Sequence, residues 1–312
     1  LAYQPHFSAV ALTQLFQGHV AASNILLFMP KEKALAEMLI HLIKQKLTSS
    51  AATIYLVGDK RSGIQSFAKN SSEDFQKQQS LSHHYLYTAQ IKAAQATAQD
   101  GIQASETRNK ETLSKKTQIK DTLSSKEVTG FFQSYEHDGL RLFNLPSVFS
   151  FQKPDEGSLL LIPHFKDFPA ERVLDFGCGS GLLTCSYLKQ HPKAQLDALD
   201  ANAFALLSTE KSAQANRQTL NQTLLSNGLQ LVNTQYDLIF SNPPFHQGQE
   251  QTYDIAKQFI ADAHRHLKPG GKLLIVANRF LPYEPTILST FGNCKELSNN
   301  SRYKIIASYK KS

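Results

Sequence analysis

Short apolar runs, each stopped by a turn former, alternate along the chain with stretches whose apolar residues recur three and four apart. Ile25-Leu26-Leu27-Phe28-Met29 stops at Pro30, Glu32 to Lys46 places Leu35, Met38, Leu39, Leu42 and Ile43 at helical spacing, and Ala52 to Val57 ends at Gly58-Asp59. A helix over Ala9 to Phe16 and a strand over His83 to Ile91 complete the first region. Strand, helix, strand in that order predicts an α/β N-terminal domain with parallel strands. From Ala93 to Lys126 the periodicity stops; Ala, Gln, Thr, Ser, Lys and Glu dominate and no aromatic residue occurs. That composition predicts a mobile linker or a solvated helix, polar all round. The division it implies is 1–92, 93–127 and 128–312.

Beyond it, Phe131 to Tyr135 and Gly139 to Phe143 are followed by Asp155-Glu156-Gly157-Ser158, which reads as the cap of a helix over Leu159 to Ile162. The apolar strand Arg172 to Phe176 runs into Gly177-Cys178-Gly179-Ser180-Gly181 and then a helical pattern from Leu182 to Lys189. Gln195 to Leu199 is a strand ending in Asp200, and Tyr236 to Phe240 is one ending in Ser241-Asn242-Pro243-Pro244-Phe245-His246. A helix over Asp254 to His266, a turn at Leu267 to Gly271 and a strand over Lys272 to Ala277 follow. Ile287 to Phe291 is helical, and Asn293 to Leu297 pairs with Tyr303 to Tyr309 as a final antiparallel hairpin.

Three of these junctions carry chemistry. Alternate glycines after a strand permit positive φ and let a ligand approach the backbone, yet their spacing is not that of the dinucleotide G-x-G-x-x-G. An acid ending the next strand, as Asp200 does, suits the two hydroxyls of a ribose. Asn242, the Pro243 carbonyl and Phe245 can grip a flat amine: two acceptors for its hydrogens and a ring to stack on, the stacking worth about 1–3 kcal/mol. Alone, Asn-Pro-Pro-Phe is a turn that ends a strand; with the glycine turn and Asp200 before it, it points to alkylation of an exocyclic amino nitrogen.

Composition narrows the partners. The 312 residues are 41% hydrophobic, enough for more than one core, and 33 Lys and Arg against 26 Asp and Glu leave a charge of +7, which favours an anionic partner such as nucleic acid. No run is long and apolar enough for a membrane span and the first residues lack a secretory pattern, so a cytoplasmic protein is expected. The chain starts at Leu1 without Met, which implies a few missing residues. Cys178, Cys185 and Cys294 are too scattered for a disulfide framework or a zinc site and read as reduced thiols. Lys60 and Arg61 fit a phosphate contact or a solvated turn, and Lys295, Arg302, Lys304, Lys310 and Lys311 fit an RNA-facing edge or a solvated one.

The glycine turn, the acid and Asn-Pro-Pro-Phe in this order resemble class I S-adenosylmethionine methyltransferases acting on amino groups. Ser241 to His246, with Val276-Ala277-Asn278-Arg279-Phe280-Leu281-Pro282-Tyr283 and Leu145-Pro146-Ser147-Val148-Phe149-Ser150, resembles the bacterial ribosomal RNA small subunit methyltransferase C family. Those enzymes methylate the N2 amino group of a guanine in 16S rRNA within the small subunit. The likeness covers the C-terminal region closely and extends loosely to Val57 to Ile64. It implies two methyltransferase-like (Rossmann-like) α/β domains in tandem, the first degenerate and the second binding S-adenosyl-L-methionine on a mostly parallel seven-stranded sheet with a terminal antiparallel hairpin. It further implies that Asp175, Gly177, Gly179 and Gly181 line the methionine and ribose part of the cofactor, that Asp200 holds the ribose hydroxyls and that Asn227 lies beside the adenine. Asn227 is equally a turn cap before Gly228. Asn242, Pro243 and Phe245 are implied to hold the guanine, with Pro244, Phe149 and Asn278 as further substrate contacts and His246 positioning rather than acting as a base. The expected partner is 16S rRNA in the small subunit; a monomer is expected, with no metal and no membrane. Phe291-Gly292-Asn293-Cys294 is similar to a sister family acting on the same atom in 23S rRNA. Methylation of DNA adenine or of a protein glutamine, and a non-catalytic RNA-binding assembly role, stay as alternatives.

Overall fold

The structure is a computed structural model describing residues 23–47, 51–94, 126–150, 153–230, 232–243 and 249–311, the side chains of Leu81 and 249–256 excepted. These residues form two compact units, one running to Phe131 and one from Phe132 onward. The expected helix over Ala9 to Phe16 and most of the polar stretch after Ala94 lie outside the described residues.

In the first unit, β1 (Asn24–Phe28) and β2 (Ala51–Asp59) are joined by α1 (Lys33–Lys46), whose Ala36, Ile40 and Ile43 bury against Ile54, Leu56, Ala89 and Ile91. β1 and β2 pair in parallel, Ile25 beside Ile54. The other two strands correct the expectation of parallel pairing. After α2 (Ile64–Asn70), β3 (Gln76–Leu81) and β4 (His84–Lys92) form a hairpin, so β4 runs antiparallel to both β2 and β3 in the order β1-β2-β4-β3. The reason is local: the two-residue turn at Ser82-His83, with Ser82 at φ 52°, can only join antiparallel neighbours. β3, Gln-Lys-Gln-Gln-Ser-Leu, carries no apolar alternation that would mark it as a strand. At the end of β2 the Asp59 carboxylate accepts from the amides of Arg61 (2.7 Å) and Ser62 (2.8 Å). A Cβ on Gly58 would come 2.8 Å from Met29 Cβ, so this glycine serves a close packing turn.

The second unit opens with the hairpin β5 (Gln133–His137) and β6 (Leu140–Asn144), followed by α3 (Glu156–Leu161). Then come β7 (Arg172–Phe176), α4 (Leu182–Gln190), β8 (Gln195–Asp200), α5 (Ala203–Ala215), β9 (Gln222–Leu225), β10 (Tyr236–Ser241) and α6 (Gln249–His266). β11 (Leu267–Asn278), α7 (Tyr283–Phe291), β12 (Lys295–Asn299) and β13 (Tyr303–Tyr309) complete it. The seven strands lie in the order β12-β13-β11-β10-β7-β8-β9; β13 is antiparallel to β11 and β12, and every other pairing is parallel. The chain winds outward from β7 to β9 and returns to β10 on the other side of β7, so the order reverses between these two strands. That reversal opens a crevice at their carboxyl ends. Leu174, Ile239, Leu273 and Ile275 on the sheet bury against Phe259, Ile260 and Ala263 of α6 and Ile287 of α7.

Two expectations change here. Leu267 to Gly271 is not a free turn: Gly270 N donates to Lys310 O and Lys310 N to Gly271 O, both at 2.8 Å, so the end of the chain draws these residues into β11. Lys304 is not on an exposed basic edge; it is 7% exposed, with Nζ 2.5 Å from Glu284 Oε1. Phe291-Gly292-Asn293-Cys294 has a scaffold role: Gly292 at φ 71° ends α7, and Asn293 exchanges hydrogen bonds with the backbone of Tyr309. Among the described residues no helix is long and apolar enough to cross a membrane.

Candidate active site

β7 and β10 bring the two sequence signals together. Their register pairs Phe176 with Ser241, and Ser241 Oγ donates to Phe176 O at 2.7 Å. Gly177 and Asn242, the next residue of each strand, therefore leave the sheet side by side. Both line one cleft with Gly179, Asp155, Ser158 and Phe149.

The glycine turn is fastened on three sides. Gly177, Gly179 and Gly181 all have positive φ (79°, 56° and 83°), which a side chain would resist. A Cβ on Gly177 or Gly179 would meet nothing within 4 Å, whereas one on Gly181 would lie 3.1 Å from Thr209 Cα. The first two thus keep a surface open, and the third lets α5 approach. The amides of Gly177 and Cys178 donate to Leu199 O, and Gly179 N donates to Asp200 Oδ2 at 3.0 Å. Asp200 Oδ1 accepts from Asn202 N at 2.8 Å; each oxygen keeps a further lone pair. Burial raises the Asp200 pKa, and the amides of Asn202 and Gly179 oppose the rise.

Asp175 sits beneath the turn, fully buried. Its Oδ2 accepts from Thr184 Oγ1 at 2.6 Å, and its Oδ1 has no partner. Burial pushes its pKa up to about 7; the Thr184 hydroxyl opposes the rise and the nearby Asp200 adds to it.

Asn242 is held by groups that come from far along the chain. Its Nδ2 donates to Asp155 Oδ2 at 2.6 Å and to Ser158 Oγ at 2.9 Å. Asp155 is also the N-cap of α3, accepting from Ser158 N at 2.9 Å. A Cβ on Gly157 would come 2.7 Å from Val276 Cγ1, so this glycine lets the first turn of α3 lie against β11. The sequence signal, Asp-x-x-Ser, is legible as a cap but says nothing about Asn242. Phe149, 50% exposed, borders the cleft on a loop in which Ser147 and Ser150 have φ of 72° and 61°. That loop is tied down by Asn202 Nδ2 to Ser147 O (3.2 Å) and Asn144 Nδ2 to Ser150 O (2.9 Å).

The methyltransferase small domain family matches residues 139–307, and the methyltransferase small domain N-terminal family matches residues 2–103. The ribosomal RNA small subunit methyltransferase C of Hahella chejuensis is 36% identical over 290 residues, covering 90% of this chain and 76% of the relative. The chain belongs to the ribosomal RNA small subunit methyltransferase C family. A member from Shewanella denitrificans is 35% identical over 95% of this chain and 81% of its own length. The fold is also that of a T. thermophilus 16S rRNA N2 methyltransferase solved with AdoMet and guanosine, at a TM-score of 0.68 and 23% identity over 95% of this chain and 76% of that one.

The remaining expected site residues are dispersed in this small subunit methyltransferase C chain. Asn227 is exposed just past β9, where Ser226 N donates to Asp200 O at 3.0 Å. Asn278 Oδ1 accepts from Phe280 N at 3.0 Å, which closes the turn after β11. Pro243 is buried beside Asn242, while Pro244, Phe245 and His246 lie outside the described residues. Among the described residues no three His, Cys, Asp or Glu side chains lie close enough together to hold a metal.

Proposed function

We infer that this chain methylates the exocyclic N2 amino group of a guanine in 16S rRNA, with S-adenosyl-L-methionine as donor. The observation that carries this reading is the adjacency of Asn242 to the Gly177 turn across β7 and β10. It sets an amine acceptor beside a surface built for close backbone approach. Family membership and the names of the relatives support the substrate.

The residues fit the donor. An unpartnered buried carboxylate oxygen on Asp175 suits an ammonium, and the open face of Gly177 and Gly179 leaves room for the chain that carries it. Asp200, with lone pairs left on both oxygens, can accept from two ribose hydroxyls, and Asn227 stands one strand further on for the adenine. When bound, S-adenosyl-L-methionine supplies a methyl group on a positively charged sulfur.

The chain's own work is to make a poor nucleophile reactive. The lone pair of a guanine amino group is delocalised into the ring. Asn242 Oδ1 and the Pro243 carbonyl each accept one of its hydrogens, which turns the lone pair out of conjugation. Positive charge grows on the nitrogen as its new bond forms, and the same two oxygens face it. The proton leaves afterwards, so no strong general base is required. Phe149 borders the cleft, and the family resemblance assigns contacts with the base to Pro244, Phe245, His246 and Asn278. A paired guanine cannot reach this cleft, so the base must be flipped or the RNA locally open, at a cost of a few kcal/mol.

In this reading residues 1–92 are a degenerate methyltransferase-like domain, 93–127 a connecting segment and 128–312 the catalytic domain; the chain acts as a cytoplasmic monomer on the small subunit. The turn ending β2 supports the first assignment, because its Gly58 is closed against Met29 and not open to a cleft. The test is transfer of labelled methyl to unmodified small subunits, large subunits and their naked RNAs in parallel. Label on N2-methylguanine of 16S rRNA is the expected result. Label confined to 23S rRNA, or none in any RNA, overturns the assignment.

A further inference from the structure

We propose that Asp155 is a positioning residue for the reaction: its carboxylate fixes and polarises the Asn242 amide so that Oδ1 alone faces the attacking amine. This rests on the functional reading above.

An asparagine amide presents an acceptor at one end and a donor at the other, and its carbon–carbon bond can turn either way. A donor facing a guanine amino group would repel it. The Asn242 amide is set by its partners: Asp155 Oδ2, already the acceptor for Ser158 N, lies 2.6 Å away, and a carboxylate on that side accepts only from Nδ2. Ser158 Oγ, at 2.9 Å from the same nitrogen, takes up its second hydrogen. With both N–H groups committed, Oδ1 is the end left for substrate. A carboxylate drawing on the N–H group also shifts amide electron density toward Oδ1, which makes it a stronger acceptor as the amine gains positive charge. The N-cap and the first turn of α3 supply the two holding groups, and Gly157 lets that turn seat against Val276. The short helix after Asp155 is thus a clamp on a residue 87 positions away.

Two substitutions separate positioning from capping. Serine and asparagine both cap helices well. Asp155→Ser keeps the cap but does not reach Asn242; Asp155→Asn keeps cap and reach but loses the charge. Transfer to small subunits is expected to fall about tenfold in kcat for Asp155→Asn and about a hundredfold for Asp155→Ser, the scale of a misplaced catalytic group. The KM for RNA, the Kd for S-adenosyl-L-methionine and Tm stay within error of one another across the pair. In an Asn242→Ala background, Asp155→Ser should cost nothing further. An equal loss in both backgrounds, or an unchanged kcat in Asp155→Ser, overturns the proposal.

A second measurement needs no substrate. In the full chain labelled with 15N at asparagine, the two Asn242 side-chain protons should resonate apart from free-amide positions and collapse toward them in Asp155→Ser. If the wild-type chain methylates no guanine, the substrate assignment fails while this readout still decides the clamp. Asn242 resonances unmoved by Asp155→Ser overturn it.

Discussion

Asp175 is a buried acid with one oxygen satisfied by Thr184 and the other bare. Its folded pKa of about 7 stands well above the ordinary 3.8, so the chain without donor folds most favourably with this group protonated. The contribution is complete below pH 3.8, declines as pH rises toward about 7 and is constant above that. Replacing Asp175 with Asn should flatten this part of the pH dependence of Tm, measured without cofactor. With Asp175 facing the donor's ammonium as proposed, S-adenosyl-L-methionine should bind more tightly as pH rises, by up to about tenfold per unit below pH 7, and less tightly again above about pH 8, where the ammonium loses its own proton. Calorimetry across pH 5.5 to 8.5 checks both; a wild-type affinity as flat with pH as that of Asp175→Asn would remove the carboxylate from the donor site. That Asp175 ends a strand is legible in the run Arg172 to Phe176. That it is the acid without a full set of partners is not, because desolvation comes from elements packed over it.

At the scale of elements, a second buried carboxylate has the full set of partners that Asp175 lacks. Asp197, 1% exposed, accepts from Asn221 Nδ2 (2.6 Å), Gln222 Nε2 (2.7 Å) and Tyr236 OH (2.7 Å). It ties β8 to the starts of β9 and β10, and this complete set marks a structural acid. Burial first, and then the Asp197 charge, push the Tyr236 phenol far above its usual range, so the donor stays protonated. Tyr236→Phe withdraws one of three donors from a buried charge and should destabilise the fold by about 1–3 kcal/mol in urea unfolding, with donor affinity unchanged. Much of the alternation of strands and helices in the second unit is readable because several apolar runs stop at turn formers, at Gly177, Asp200 and Asn242-Pro243. β3 carries no strand signal because Gln76 to Ser80 is polar on both faces, and β11 begins earlier than expected because Leu267 pairs with Tyr236 of β10 and Gly270 and Gly271 bond to Lys310, just past β13.

For the whole molecule, the count of 33 Lys and Arg overstates the cations an RNA can meet. Lys304 is spent on Glu284, Lys44 on Glu73 and Lys268 on Asp237. Binding to small-subunit RNA should still weaken with salt, by about ten- to fiftyfold between 50 and 200 mM if two or three phosphates are contacted. Fluorescence titration at several salt concentrations measures the slope, and an RNA affinity indifferent to salt would contradict phosphate contact. Net charge is additive along a sequence and so legible there; which charges remain available depends on pairings set by the fold.

The order of strand, glycine turn, acid and Asn-Pro-Pro-Phe was determined by the sequence itself, since glycine frees the backbone and proline fixes it at their own positions whatever surrounds them. The same local logic marked Asp155 as a helix cap. Only the tertiary structure decided that β7 and β10 are neighbours, which sets Gly177 beside Asn242, and that the cap of α3 reaches across 87 positions to orient that amide. Strand order and the reach of one side chain to another are properties of packing, in which residues distant along the chain are brought within hydrogen-bond range by a core that no single stretch encodes.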